Sequence, residues 1–204
     1  MSRRLRARSM GRRLLVPLAL LLVAVGGCAG RDFARPPADA FALGQSTERD
    51  VRQKFGDPYR QGTVVKNGET MKTLSYAYAA GAGSLAGGIT PARGMGFYFW
   101  NDVLVGHEFV SSFDEDKTDF DGTKAQQIRK GETTESGVIA LLGPPPGAYV
   151  YPMIADRTGR GLVYFYAQTK GSAFSLKFYQ QLMVVTIGAT GVVGDVQLTS
   201  QGER

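Results

Sequence analysis

The chain carries one sixteen-residue pattern twice, and this repetition limits the architectures open to it more than any other feature does. Residues 43–58 read LGQSTERDVRQKFGDP and residues 130–145 read KGETTESGVIALLGPP. A constant offset of 87 aligns Gly44 with Gly131, Thr47 with Thr134, Val51 with Val138, Gly56 with Gly143 and Pro58 with Pro145. A self-match of this kind is the signature of a duplicated structural unit. Each matched residue has a local physical job. Thr47 and Thr134 are placed to cap a helix, their hydroxyls accepting a backbone N–H that the first turn leaves unpaired. Asp50 sits where a capping box needs an acceptor, and the second copy has Gly137 there. Val51 with Phe55, and Val138 with Leu142, are four apart and share one helix face. Gly56 and Gly143 end the helix, and Pro58 and Pro145 forbid its return.

The remainder of each unit reads as strands. Thr73–Ala79, Gly96–Trp100 and Val103–Ser111 are rich in aromatic and β-branched residues, as are Leu162–Ala167, Ser175–Phe178, Leu182–Ile187 and Val192–Thr199. Asn101-Asp102 and Ala189-Thr190-Gly191 mark turns. A further short helix is expected ahead of each motif, at about 37–43 and 122–130. The fold class expected is therefore α+β, with two tandem units, each of two short helices packed on an antiparallel sheet. The first unit spans 38–113, a polar linker 114–121, the second unit 122–200 and a tail 201–204. Units this small have little interior, so the two sheets should join or pack closely.

The amino terminus reads as an address. Arginines fill residues 3–13 and the apolar run Leu14–Val25 follows, which is the layout of a secretory signal spanning 1–27. That run is shorter than the roughly 20 apolar residues a spanning helix needs. It ends in Val25-Gly26-Gly27-Cys28, which resembles a bacterial lipobox, with Cys28 as the lipidated residue and 28–37 as a tether. An incidental Cys after an ordinary signal is the competing reading. What the resemblance to Gram-negative lipoproteins implies from Ala29, in place of an Asp at that position, is export to the outer membrane. Charge supports the division: of 24 basic residues six arginines lie before residue 28, which leaves 18 bases against 18 acids. The folding part is neutral, so nucleic acid is not an expected partner.

The sequence of L-x-x-G or K-G, a capping Thr, an apolar residue four on, then L/F-G-x-P and aromatic strands resembles the SmpA/OmlA/BamE lipoprotein family. The resemblance covers about residues 38–110 and again 122–199, and tandem copies are similar to the β-lactamase-inhibitor-protein fold. What the family implies is a periplasm-facing accessory subunit of the outer-membrane β-barrel assembly machine, held by lipid at Cys28, with no cofactor and no chemistry of its own. The second fold implies instead a module that covers an extracellular or periplasmic enzyme with its concave sheet. The two copies and the glycine-rich segment 79–96 depart from the single-unit family pattern.

No catalytic constellation stands out. His107 is the chain's single histidine. Alternation places it with Val103, Val105 and Phe109, on a mostly apolar row, and Glu108 on the other face. No nucleophile motif such as G-x-S-x-G accompanies it. The stretch Asp114–Gly122 fails as a calcium loop, because Lys117 and Ile128 fall where ligands belong. One Cys and one His exclude zinc sites built from several such ligands. Segment 79–96 lacks a P-loop's Gly-Lys-Ser/Thr ending and reads as a flexible loop, with Leu85, Ile89 and Met95 as apolar residues for a partner groove or bilayer. Tyr76, Tyr78, Phe97, Phe99, Trp100, Tyr164 and Phe165 divide between core and a protein-binding face. Catalytic, cofactor and metal residues are accordingly expected to be none, and the expected function is protein binding in envelope assembly.

Overall fold

The glycine and proline punctuation read above sorts the chain into long strands and very short helices, as the computed structural model shows. It describes residues 30–80, 88–172 and 175–204. The order is α1 (Glu48–Phe55), β1 (Arg60–Lys66), β2 (Glu69–Ala79), β3 (Ile89–Thr90), β4 (Ala92–Trp100) and β5 (Val103–Ser111). A 3-10 turn at Gly122–Gln127 and α2 (Glu135–Leu142) lead into β6 (Gly147–Tyr149), β7 (Arg160–Ser172), β8 (Ser175–Ile187) and β9 (Val193–Gly202). All strands belong to one antiparallel sheet in the order β1-β2-β4-β5-β6-β7-β8-β9, with β3 paired to β7.

The expected pair of tandem helix-on-sheet units is therefore incorrect. The molecule is a mostly antiparallel half-barrel with little helix, and the sheet runs unbroken through both halves. Its seam is β6, whose Gly147, Ala148 and Tyr149 pair with Glu108, His107 and Gly106 on one side and with Val163, Leu162 and Gly161 on the other. Sequence reading took Pro145 only as a helix stop and missed the three-residue strand behind it. The segment 37–43 forms turns instead of a helix, with Ala40 N–H donating to Pro37 C=O at 3.0 Å. Pro37 and Gly44 bracket too few residues to repay helix nucleation. Residues 122–130 give a short 3-10 helix at Gly122–Gln127, capped by Asp121, whose side chain accepts from Thr123 N–H at 3.0 Å.

Two further strands differ from expectation. β1 is polar and mostly exposed, so it lacks the apolar signal of a strand. The hint was Asn67-Gly68, whose left-handed backbone (φ 50° and 82°) makes the tight β1–β2 hairpin. β8 is continuous across Tyr179-Gln180-Gln181, where the glutamines read as a gap. Gln181 is nevertheless buried, and its side-chain oxygen accepts from Tyr179 Oη at 3.0 Å.

The repeated motif makes the same attachments twice, both to this one sheet. Gly44 N–H donates to Leu104 C=O at 2.8 Å and Gly131 N–H to Val193 C=O at 2.7 Å. Tyr76 Oη donates to Gly56 C=O at 3.0 Å and Tyr164 Oη to Gly143 C=O at 2.9 Å. Val51 and Val138 have no exposed surface. α1 thus covers Phe41, Leu74, Tyr76, Met95, Phe97, Phe99, Leu104 and Phe109. α2 covers Phe120, Ile128, Leu162, Tyr164, Tyr166, Met183, Val185, Ile187 and Val193. The caps differ in detail. Thr134 accepts from Gly137 N–H at 3.2 Å as expected of an N-cap, whereas Thr47 donates its hydroxyl to Asp50 at 2.9 Å, and Asp50 also takes the Thr47 N–H at 2.7 Å.

Candidate functional site

Strand alternation sends every second side chain of the central strands to the face without helices. A third apolar cluster lies there, of Met71, Val105, Tyr149, Met153, Ile154 and Val163, with Val64 of β1 and Val184 of β8 packed against it. Residues from nearly opposite ends of the strand order meet in one cluster, so this face is the inside of the curve. The curl is strong enough that Val64 and Lys66 of β1 line the same cavity as Gln197 and Thr199 of β9.

Glu108 stands in the floor of this concave face. Tyr98 Oη donates to its Oε1 at 2.7 Å and Tyr149 Oη to its Oε2. Gly106 makes the arrangement possible, since a Cβ there would sit 2.7 Å from Tyr149 Cδ1. Burial pushes the Glu108 carboxyl above its ordinary range, the two tyrosine hydrogen bonds working against that rise. Both tyrosines are pushed well above 10, first by burial and then by the Glu108 charge. On one side of this triad is an open depression of about 380 Å³ bordered by Thr73, Ser75, Gly94, Gly96, Val110 and Phe165. On the other is one of about 340 Å³ bordered by Asn67, Met153, Ile154, Leu182 and Thr199. The loop after β6 roofs the second, fixed where Asn67 Nδ2 donates to Pro152 C=O at 2.9 Å. Trp100 Nε1 and Tyr151 Oη both donate to Glu69, at 3.2 and 3.3 Å, and form a rim.

A raised Glu108 pKa has a stability consequence of definite sign. The folded protein holds this proton more tightly than the unfolded chain, whose carboxyl titrates near 4.5. Stability from this group is thus full below pH 4.5 and is lost as pH rises through the folded value. Glu108→Gln removes the titration and keeps an oxygen to accept from one tyrosine, its NH2 facing the hydroxyl oxygen of the other. Urea denaturation from pH 4.5 to 8 should show the parent losing stability over this window and the variant losing less. Equal slopes would assign the loss to another group.

His107 lies on the opposite, helix-bearing face and pairs in register with Phe97. Its Nδ1 is buried without a hydrogen-bond partner, and burial, aided by Arg35, depresses its pKa to about 4. The imidazole is therefore neutral at pH 7, on the wall of a cavity of about 410 Å³ shared with Arg35, Pro37, Phe41, Phe109 and Pro145. The expected row of Val103, Val105, His107 and Phe109 is broken by a register shift opposite Tyr98 and Phe99, which turns Val105 to the concave face. Such a shift re-aims side chains without a sequence signature.

The other sequence candidates fall as follows. Gly44, Gly56, Gly131 and Gly143 all have left-handed φ, between 75° and 83°, and serve as attachment points. Pro58 follows α1, and the carbonyl of Pro145 accepts from Arg35 at 3.5 Å. Tyr76, Phe97, Phe99 and Tyr164 are core residues beneath the helices, while Trp100 and Phe165 belong to the concave face. Met95 is buried with 2% exposure, and Ile89 lies in β3, so those parts of the glycine-rich segment are strand, not loop. Cys28, the signal 1–27 and Leu85 lie outside the described residues. Asp114–Asp121 is tied to the sheet: Thr118 Oγ1 donates to Phe165 C=O at 2.6 Å, and Arg93 reaches Glu115 at 2.8 Å. Among the described residues no three His, Cys, Asp or Glu side chains converge to hold a metal. Sequence reading missed Glu108 as a site residue. The signal lay in a carboxylate on a strand between Gly106 and Val110, opposite the G-M-G of β4.

No protein-family model matches the chain, and no curated relative matches it in sequence. The sequence resemblance to SmpA/OmlA/BamE thus stands on the motif residues alone. Among solved structures, a crystal structure described as a "putative beta-lactamase inhibitor protein" from Streptococcus mutans is a distant neighbour. It shares 9% identity over 79% of this chain and 91% of that one, with a TM-score of 0.35.

Proposed function

We propose that this chain is a lipid-anchored, periplasm-facing protein of the Gram-negative outer membrane whose concave sheet face binds a protein partner in envelope assembly. The observation that carries the binding part is the helix-free inner face. A rigid, curved surface exposes small residues (Thr73, Ser75, Gly94, Gly96) around the buried Glu108 triad, with Phe165 and Trp100 as aromatic contacts. Such a floor admits a protruding segment of another protein, and its aromatics suit a contact surface. The signal and Cys28 supply the address. The β-barrel assembly machine is the partner complex that the sequence resemblance suggests.

A photo-crosslinking side chain at Ser75 in the full-length chain, expressed in native membranes, tests this reading. Recovery of assembly-machine subunits by mass spectrometry, lost when the same probe sits at the solvent-exposed Asp57, is the expected result. Recovery of one envelope enzyme, inhibited stoichiometrically by the purified chain, would move the function to inhibition. Crosslinks equal at both positions would sink the concave-face assignment.

A further inference from the structure

We infer that Leu176 and Phe178, near the end of the β7–β8 pair, dock on the lipid bilayer beside the amino-terminal anchor. The proposal rests on the anchor reading above; two observations place the two features at one end of the molecule, and a third shows what the hairpin exposes there.

The first is where the described chain begins. A Cβ on Gly30 would lie 1.9 Å from the Ala77 carbonyl oxygen, so Gly30 rests directly on the end of β2. Arg93 holds the next residues there: its Nη1 donates to Asp32 at 3.3 Å and to Phe33 C=O at 2.9 Å. Phe33 then turns down the helix-bearing face, 5.5 Å from the Phe55 ring and 6.5 Å from that of Phe109. The exit toward Cys28 is therefore fixed at the β2 end that carries Ala79, and two residues span at most about 7 Å.

The second is the hairpin. Antiparallel order puts the end of β2, the start of β4 and the end of β5 on the same side as the end of β7 and the start of β8. β7 runs six residues past Phe165 to Gly171, an overshoot of about 20 Å at strand rise. β3 pairs with Thr169 and Lys170 and braces it.

The third is what the tip exposes. Leu176 and Phe178 are 64% and 50% exposed, among the few large apolar side chains of the described residues left in solvent. They alternate with Lys177, which pairs in register with Lys170 and whose ammonium is held by Glu203 at 2.6 Å, so the apolar pair and the lysines project from opposite faces of one hairpin. Apolar side chains flanked by lysines suit the boundary between acyl chains and headgroups, where a lysine stem can bend back to phosphate. The overshoot lets a single plane touch both the anchor exit and the tip with the strands inclined to it.

The test uses the lipidated full-length chain in vesicles of phosphatidylethanolamine and phosphatidylglycerol. Cys28 is the chain's single cysteine, and its thiol would be acylated, so Leu176→Cys, Phe178→Cys and Val65→Cys each accept one polarity-sensitive fluorophore. Val65 is as exposed as Leu176 but lies near the opposite end of the sheet. Emission should shift to shorter wavelength at 176 and 178, with stronger quenching by spin-labelled lipid at 176, and stay unchanged at 65. Chains that float with the vesicles while all three labels report water would overturn the hairpin proposal and leave the anchor standing. Chains that fail to float would remove the anchor and the proposal together. Shielding at 176 that requires other envelope proteins, and is absent with lipid alone, would also overturn it.

Discussion

Phe97→Ala is expected to destabilise the fold by about 3–5 kcal/mol, the range for deleting a buried aromatic side chain. Phe97 has no exposed surface, and its ring stands edge-on to Phe41 at 5.1 Å, Phe55 at 5.4 Å and Tyr76 at 5.9 Å. It joins α1, the turn before it and strands β2 and β4, so no single neighbour can move in to fill the space. A loss of that size is a large part of the roughly 5–15 kcal/mol that holds a typical domain together. Urea denaturation would measure it. Because the sheet is continuous through β6, Trp100 fluorescence and far-ultraviolet circular dichroism should shift together, as one transition. Two transitions, only one of them moved by the substitution, would mean that the halves unfold separately and the seam contributes little.

Cys28→Ala should move the protein from the membrane fraction to the soluble periplasmic fraction almost completely. Each acyl methylene buried contributes about 0.8 kcal/mol, and two chains together hold a protein far more firmly than one. No helix of the described residues is long and apolar enough to cross a membrane, so within that region the replacement anchor could not be helical. Fractionation together with incorporation of labelled palmitate checks the point. A parent chain without acyl label, or a variant that still pellets with membranes, would count against Cys28 as the anchor. Retention at a low level is the result expected if the proposed hairpin docking holds as the weaker of the two proposed attachments.

How the sequence related to the fold depends on which residues carried the signal. Val103–Ser111 was legible to the residue as β5, because its apolar and turn residues define both ends. α1 and α2 were legible through Thr47, Thr134 and the glycines that stop them. The arrangement was not. A local repeat reports local geometry, and whether two copies make two sheets or one is decided by three pairs at β6, a segment too short to show periodicity. Glu108 escaped notice for a related reason. Its significance comes from Tyr98 and Tyr149, which reach it from neighbouring strands, and nothing within β5 announces them.

The half-barrel stops short of a ring, and that leaves two ends to the ladder. Among the described residues β1 pairs with β2 alone and β9 with β8 alone. Each therefore presents a row of backbone donors and acceptors on its outer side, which is the template from which chains add to one another and aggregate. Most side chains of these strands are polar, among them Arg60, Gln61 and Thr63 on β1 and Asp195, Ser200 and Gln201 on β9, with Val65 and Leu198 as exposed apolar exceptions. Many copies confined to one membrane would meet edge to edge far more often than in dilute solution. A loss of charge along either edge should therefore favour edge-to-edge pairing of copies before it cost the fold stability.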